Sequence, residues 1–306
     1  MIQSLRSTNA NALPGNPREE TGFQGRRFSD PVSGPLFLPL GEAVRQLVRP
    51  GAAVAMEGFT HLIPFAAGHE IIRQEINQLT LIRMTPDLIY DQLIGAGCAK
   101  KLIFSWGGNP GVGSLHRFRD AIEHGYPFPL EVEEHTHAGL AAAYQAGAAN
   151  LPFAILRGYV GVDLPSVNSR IRWVCCPYTG ETLATVPALR PDVAVIHAQR
   201  ADRRGNVLID GIVGIQKECA YASAKTLVTV EEIVEDLRPG CVNAVILPAW
   251  TISAISVVPG GARPSYARGY YDRSNAFYIE WDTISRDRHR FQEWMRENVL
   301  QPASNL

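Results

Sequence analysis

Four short segments hold the residues whose types and spacing can do chemistry: Glu57-Gly58-Phe59-Thr60-His61-Leu62-Ile63-Pro64, Thr85-Pro86-Asp87, Gly107-Gly108-Asn109-Pro110-Gly111-Val112-Gly113 and Glu133-Glu134-His135-Thr136-His137. Each follows an apolar run that reads as a strand. The glycines of the first and third let a backbone approach a ligand and turn N–H groups toward an oxyanion or a phosphate. They also suit plain strand-to-helix turns, and spacing does not separate the two readings. Glu57 closes an apolar strand, where burial would raise its pKa and make it available as a base or nucleophile. A Glu paired with a nearby Arg or Lys is the competing reading. His135 and His137 face the same way as Glu133 on an extended segment, so the three can share a metal. No further ligand follows downstream, and polar lining or helix capping, with Thr136 as N-cap, is the simpler role. His61 and His69 read as packing or surface residues, unless a bound substrate engages His61. Glu231, Glu232, Glu235 and Asp236 read as a solvated face.

Familiar fingerprints are missing. GGNPGVGS (107–114) lacks the Gly-Lys-Ser/Thr ending of a phosphate loop and the spacing of a dinucleotide site. There is no GxSxG elbow. These absences argue against a nicotinamide enzyme and give no serine-hydrolase signal. The five cysteines, Cys98, Cys175, Cys176, Cys219 and Cys241, form no CxxC pair and sit mostly in apolar runs. They read as reduced core residues of a cytoplasmic protein.

Such segments need a frame to hold them. LGEAVRQLV (40–48), HEIIRQEI (69–76), DLIYDQLIGAG (87–97), LHRFRDAIEHG (115–125) and AGLAAAYQAGAA (138–149) have helical spacing. Between them AAVAM (52–56), LTLIRM (79–84), KKLIFSW (100–106) and LEVEE (130–134) read as strands. This alternation predicts an α/β fold with an open, mostly parallel sheet and helices on both faces. Later, VAVIHA (193–198), NVLI (206–209), KTLVTV (225–230) and AVILPAW (244–250) read as strands, and GIQKECAYASA (214–224) and SRDRHRFQEWMREN (285–298) as helices. In such a sheet ligands bind beyond the carboxyl ends of the strands, which is where the four segments fall.

The chain has 306 residues, 46% of them apolar and 19% charged, with a net charge of −1. It has no field to attract nucleic acid or an anionic membrane, so small molecules or proteins are the expected partners. No stretch is apolar enough to span a membrane or to serve as a signal peptide, and a cytoplasmic address is expected. Residues 1–34, rich in Ser, Asn, Gly, Pro and Arg without period, read as an arm. A flexible arm is assigned to 1–36 and one domain to 37–306.

One stretch fits neither helix nor strand: VVPGGARPSYARGYYDRSNAFY (257–278), full of rings and arginines among glycines. With the following SRDRHRFQEWMRENV it closely resembles the C-terminal part of the α subunit of class I coenzyme A transferases of the glutaconate and 3-oxoacid type. EGFTHLIP (57–64), LTLI (79–82), AYQAGAANLPFAILRGYVGVDL (143–164), GNV (205–207) and VTVEEIV (228–234) are similar to further motifs of that family. The resemblance spans nearly all of 37–300. It implies the open α/β CoA-transferase (NagB-like) fold. It also implies transfer of CoA between an acyl-CoA and a free carboxylic acid, by way of a glutamyl-CoA thioester and acyl anhydrides.

In that family the glutamate lies on a partner β subunit, and this chain shows no match to it. The resemblance therefore implies a hetero-oligomer in which this chain supplies half a site. It would bind no covalent cofactor and no metal, with CoA as substrate. Gly58, Phe59, Thr60 and His61, with Trp106, Gly107, Gly108 and Asn109, would provide oxyanion donors and acyl-group walls, and Glu57 is the carboxylate to test if the chain acts alone.

Tyr266, Tyr270, Tyr271 and Phe277 would hold the β subunit or a second αβ unit, or else clasp the sheet edge internally. Arg263 stands where relatives usually carry His, and Glu57 and Thr60 stand at positions that are often glycine. Two alternatives stay open. One is a subunit of a CoA-ester hydrolase that cleaves a C–C bond in a cyclic diketone CoA ester, as in steroid-ring degradation. The other is a non-catalytic regulatory subunit that binds CoA esters.

Overall fold

Runs such as Val54-Ala55-Met56 and Leu81-Ile82 do not alternate with polar residues, so both faces of their strands must be covered. The computed structural model describes residues 34–301 and shows this arrangement. β1 (Leu36–Phe37), α1 (Leu40–Leu47), β2 (Ala53–Glu57), α2 (Phe65–Arg73), β3 (Leu79–Arg83), α3 (Leu88–Gly95), β4 (Ala99–Phe104), α4 (His116–Glu123), β5 (Glu131–Glu134) and α5 (His137–Ala148) alternate along the chain. Next come β6 (Phe153–Leu156), α6 (Leu164–Val167), β7 (Arg172–Cys175) and β8 (Thr182–Pro187). The remainder is β9 (Val193–Asp202), β10 (Val207–Ile209), α7 (Gln216–Ala222), β11 (Lys225–Val234), β12 (Val245–Leu247), β13 (Ala254–Val257), α8 (Asn275–Arg286) and α9 (Arg288–Met295).

A ten-stranded sheet runs in the order β1-β13-β11-β9-β2-β3-β4-β5, and β10 pairs with both β9 and β12. All neighbours in the main order are parallel, and β10 is antiparallel to its two partners. β3, β4 and β5 add to one side of β2, whereas β9, β11 and β13 lie on the other. The carboxyl ends of β2 and β9 therefore flank a topological switch point, the place where such sheets open a crevice. β9 also outruns its neighbour. Glu57 at the end of β2 pairs with Ile196, while Arg200 and Ala201 pair instead with Leu208 and Val207 of β10.

On one face α1, α2, α3, α4, α8 and α9 bury Val44, Ile71, Leu93, Phe118, Trp281 and Phe291 against the sheet. On the other, Leu140 and Tyr144 of α5 and Cys219 of α7 meet Ala55, Ile82, Ile103 and Ala194. Close approach of α5 requires a glycine: a Cβ on Gly147 would sit 1.8 Å from the Leu189 carbonyl oxygen. One carboxylate ties three helices together. Asp91 of α3 accepts the Arg117 and Phe118 N–H groups of α4 at 2.8 and 2.9 Å, and its other oxygen accepts Trp281 Nε1–H of α8 at 3.0 Å.

Several expectations are corrected. The helix expected over 69–76 starts at Phe65 and ends at Arg73, where the chain turns through a left-handed Glu75 (φ 53°). The helix expected over 285–298 is broken at Asp287, which caps α9 by accepting Arg290 N–H at 2.9 Å. Pro248 ends the strand expected over 244–250 at Leu247. β6, β8 and β7 form a separate three-stranded antiparallel sheet in a region to which the sequence pattern assigned no strand. Cys98 and Cys219 are core residues, but Cys175 ends β7 of that small sheet and is exposed, and Cys176 and Cys241 are half-buried. Most of the arm expected over 1–36 lies outside the described residues, while Leu36 pairs with Ala254 of β13. Among the described residues no helix is long and apolar enough to cross a membrane.

The ring-rich stretch spends its rings on this chain. The Tyr271 hydroxyl donates to Glu231 Oε1 at 2.6 Å and accepts Ala262 N–H at 3.0 Å, and Arg263 stacks on the Tyr271 ring at 4.3 Å. Glu231 Oε2 accepts Gly260 N–H at 2.7 Å, and His197 Nε2 lies 2.8 Å from Oε1. Glu231 is thus buried rather than part of a solvated face. Burial opposes its ionisation, yet the bonds from His197, Tyr271 and Gly260 hold its pKa below the ordinary value. Glu232 binds the Tyr270 hydroxyl and Arg200, and Glu235 pairs with Arg203 at the surface. Phe277 and Tyr278 lie in the first turn of α8, with Phe277 against Trp281 and Trp294.

The internal clasp predicts a graded response. Tyr271→Phe removes one of the bonds to a buried carboxylate and strands the Ala262 N–H, and should destabilise the protein by about 1–3 kcal/mol. Tyr270→Phe releases only half-exposed partners and should cost under about 1 kcal/mol. Denaturant titration of the two variants compares them, and equal losses would contradict the clasp.

Candidate functional site

Beyond β2 the chain doubles back so tightly that a Cβ on Gly58 would lie 2.8 Å from Leu62 O and 2.9 Å from His61 O. Thr60 (φ 56°) and Leu62 (φ 55°) take left-handed conformations, a strain of about 1–3 kcal/mol each that the surroundings must enforce. Four contacts do so. Arg83 Nη2 donates to Gly58 O at 2.9 Å, Ser265 Oγ donates to Thr60 O at 2.9 Å, Leu62 N–H donates to Tyr266 O at 3.0 Å, and Arg268 N–H donates to His61 Nε2 at 3.0 Å. With Nε2 accepting, His61 carries its proton on Nδ1, which faces Ile212 O at 3.2 Å. Burial lowers the His61 pKa, and the ring stacks on Tyr266 at 4.5 Å. His61 is a neutral latch between the β2 loop and two later segments.

The loop presents Phe59 outward, 43% exposed. Its Cβ lies 3.0 Å from where a side chain on Gly214 would begin. The N–H groups of Phe59 and Thr60 have no acceptor among the described residues. They follow the carboxyl end of β2 at the switch point, and unpaired N–H groups of this kind can stabilise developing negative charge on an oxygen.

Glu57 lies beneath this loop, 2% exposed. Its Oε1 accepts Tyr144 O–H at 2.9 Å and Met84 N–H at 3.2 Å. Burial dominates over the opposing charge of Arg83 and raises its pKa to about 7. Arg83, buried as well, has Asp87 at 3.5 Å. Both readings of Glu57 meet here: it is desolvated and it neighbours an arginine, but it is sealed from the crevice. His69 is in the helical layer with Nε2 2.8 Å from Gln92 Oε1, and burial takes its pKa down to about 4.

Trp106–Asn109 follow β4, two strands and so about 10 Å across the sheet from β2. Their N–H groups are mostly engaged inward: Trp106 on Met84 O (3.1 Å), Gly108 on Pro86 O (3.2 Å) and Asn109 on Gly113 O (2.8 Å). The Asn109 side chain is buried and donates to Tyr278 O at 2.7 Å, bracing β4 against α8. Gly107 abuts the Phe118 ring, and the Trp106 ring, 46% exposed, covers Gly108 so closely that a Cβ would fall 2.5 Å from it. Of these four, Trp106 alone offers a side chain to a ligand.

His135 and Glu133 pair at 3.0 Å, with Lys101 Nζ 2.8 Å from the other Glu133 oxygen. Despite partial burial these two partners take the Glu133 pKa down to about 2. Thr136 Oγ1 caps α5 by accepting Gly139 N–H at 3.0 Å, and His137 is the first residue of that helix. No three side chains are grouped to hold a metal ion among the described residues. Arg83, Tyr144, Gly214 and Arg268 escaped sequence reasoning. Only Arg83 left a signal there, as a lone charge inside the apolar strand LTLIRM.

Residues 38–257 match the model of the coenzyme A transferase family. The chain is 62% identical over 263 residues to the A subunit of 3-oxoadipate CoA-transferase from Pseudomonas knackmussii, covering 86% of this chain and 93% of that one. It is 28% identical over 254 residues to the cholesterol ring-cleaving hydrolase IpdA subunit of Mycobacterium tuberculosis, covering 78% of this chain and 84% of that one. Glutaconate coenzyme A-transferase of Acidaminococcus fermentans superposes with a TM-score of 0.81 at 30% identity, over 87% of this chain and 89% of that chain.

The buried Glu57 makes a signed prediction. Its folded pKa of about 7 lies above the ordinary 4.5, so the folded chain holds a proton that the unfolded chain releases between those values. Stability therefore falls as pH rises through that window. Glu57→Gln keeps an acceptor for Tyr144 and Met84 and removes the ionisation. It should match the wild type near pH 4.5 and gain up to about 3 kcal/mol by pH 8. Paired denaturation midpoints across that range test this, and a difference that does not change with pH would show that Glu57 titrates normally.

Proposed function

The chain belongs to the coenzyme A transferase family, and from that premise we propose that it is the A subunit of a heteromeric 3-oxoadipate CoA-transferase. The observation that carries this reading is the 62% identity to the protein of that name over 93% of its length. CoA passes between an acyl-CoA and a free carboxylic acid through a β subunit that supplies the nucleophile. A glutamate carboxylate of the partner attacks the thioester carbonyl and expels CoA thiolate, leaving an acyl anhydride. The thiolate then attacks the glutamyl carbonyl of the anhydride, forming glutamyl-CoA and freeing the first acid. The acceptor acid repeats both steps in reverse.

This chain contributes the free N–H groups of Phe59 and Thr60, which receive the oxyanion of each addition, and the exposed rings of Phe59 and Trp106, which wall the acyl group. His61, Ser265 and Arg83 hold those donors in a conformation they would not adopt alone. Burial, and the two hydrogen bonds that its Oε1 accepts, argue against Glu57 as the nucleophile. The hydrolase reading rests on similarity at 28% identity and has weaker support.

The test is to purify the chain with whatever binds it and supply 3-oxoadipyl-CoA with succinate as acceptor. A stoichiometric second chain, CoA transfer that requires the acceptor, and a borohydride-reducible thioester on a glutamate of that second chain are expected. Release of free CoA without acceptor would indicate a hydrolase, and a thioester trapped on Glu57 would overturn the half-site reading.

A further inference from the structure

Arg268 lies beside the loop that follows β2, with a half-exposed guanidinium that no group of the described chain hydrogen-bonds. Its backbone is fixed by the bond from its N–H to His61, and its Cδ packs over Gly211, 3.2 Å from where a side chain there would begin. The side chain is 52% exposed. Its nearest acid is Asp210, whose buried Oδ1 forms a 3.7 Å ion pair with Nη1, longer than a hydrogen bond, and has no hydrogen-bond partner, while Oδ2 accepts Gly240 N–H at 2.7 Å; the rest of the guanidinium fork is unengaged.

The neighbouring arginines are committed. Arg83 is buried on Asp87 and Gly58 O, Arg200 holds Glu232 and Tyr270, Arg263 stacks on Tyr271, and Arg273 donates to Pro110 O while lying over Tyr278. Arg268 sits beside the latch of the same loop whose Phe59 and Thr60 N–H groups stand free. Apart from the long Asp210 pair, the structure offers a half-exposed fork of donors beside the loop that follows β2.

We propose that Arg268 determines substrate specificity by binding the second, unreacting carboxylate of a dicarboxylic acyl group. This deepens, and rests on, the transferase reading above. Transfer consumes one carboxyl of the acid. A second carboxylate stays ionised throughout, and taking it from water into the crevice without a partner would be costly. The planar guanidinium fork meets a carboxylate with two parallel N–H···O bonds, a geometry that a lysine does not reproduce. Gly211 (φ 116°) leaves the side chain its path across the backbone, and the His61 latch anchors its base. Binding energy from this remote contact would select dicarboxylic over monocarboxylic acids before chemistry begins.

The experiment uses the assembled complex with succinyl-CoA as donor. It compares kcat/KM for two acceptors, 3-oxoadipate and 3-oxohexanoate, which differ only by carboxylate against methyl. The wild type should prefer the dicarboxylate. Arg268→Gln should cut that preference by about 10- to 100-fold, mainly through KM for 3-oxoadipate, and Arg268→Lys should restore part of it. An unchanged ratio in Arg268→Gln overturns the assignment, as does a wild type with no preference between the acids. A wild-type complex that moves CoA to neither acid refutes the transferase reading itself and takes this assignment with it.

Discussion

A buried guanidinium holds the site together. Arg83 ends β3 almost wholly out of water, with Asp87 four residues on and the Gly58 carbonyl across the neighbouring strand as its partners. A charge in that position is tolerable only if its surroundings answer it. The answer comes from two neighbouring places in the chain: the end of β2, with the Gly58 carbonyl and Glu57 nearby, and Asp87 at the start of α3. Because the Gly58 carbonyl is taken by Arg83, the peptide that follows turns outward, and the loop runs through left-handed Thr60 and Leu62 instead of relaxing into a wider turn. Strain of this kind persists where neighbours over-determine it. Here the neighbours are Ser265, Tyr266 and Arg268, all from a segment more than two hundred residues away in sequence.

That separation explains what could be read from the sequence and what could not. LTLIRM and DLIYDQLIGAG declare a strand and a helix through local periodicity, and their repetition declares a parallel sheet with its ligand crevice at the carboxyl ends. The glycine-bearing loop at 57–64 was visible for the same reason. The small antiparallel sheet was not: FAIL, RWVC and TLATVP are short and half-exposed, and they pair across intervening turns, so none carries a clear period. α8 was hidden behind the glycines and prolines that precede it, although Ser274 caps it by accepting Phe277 N–H at 3.4 Å. The partners of Tyr270 and Tyr271 were out of reach too, since Glu232 and Glu231 belong to a strand that sequence pattern ended at Val230 and that the structure continues to Val234.

The same logic separates the two groups of candidate site residues. Gly58–His61 and Trp106–Asn109 look alike in sequence, each a polar, glycine-bearing turn after a strand. They differ in where their N–H groups go. The β4 turn folds onto its own neighbours and satisfies three of its four donors, which leaves a brace with one exposed ring. The β2 loop sits where β9 exchanges β2 for β10 as its neighbour. There the ladder that would have consumed its donors is interrupted, and the donors of Phe59 and Thr60 stay free.

The interruption also bears on why the chain should act only as half of a site. In the proposed reading, donors that stabilise an oxyanion need a nucleophile to generate one, and the carboxylate nearest to them is poorly placed to serve. Glu57 points into the α5 face of the sheet, with Tyr144 and Met84 on one oxygen and burial favouring its protonated form near neutral pH. Swinging it out would break its bonds from Tyr144 and Met84 and pull a buried side chain through the base of the loop. Electrophile stabilisation and nucleophile therefore conflict within this chain: the burial that shapes the loop disables its own glutamate. A second polypeptide that brings a carboxylate to the open side of the crevice resolves the conflict without disturbing Arg83. A loop frozen into place, an open crevice and a sealed acid are what a protein built to receive its nucleophile from a partner requires.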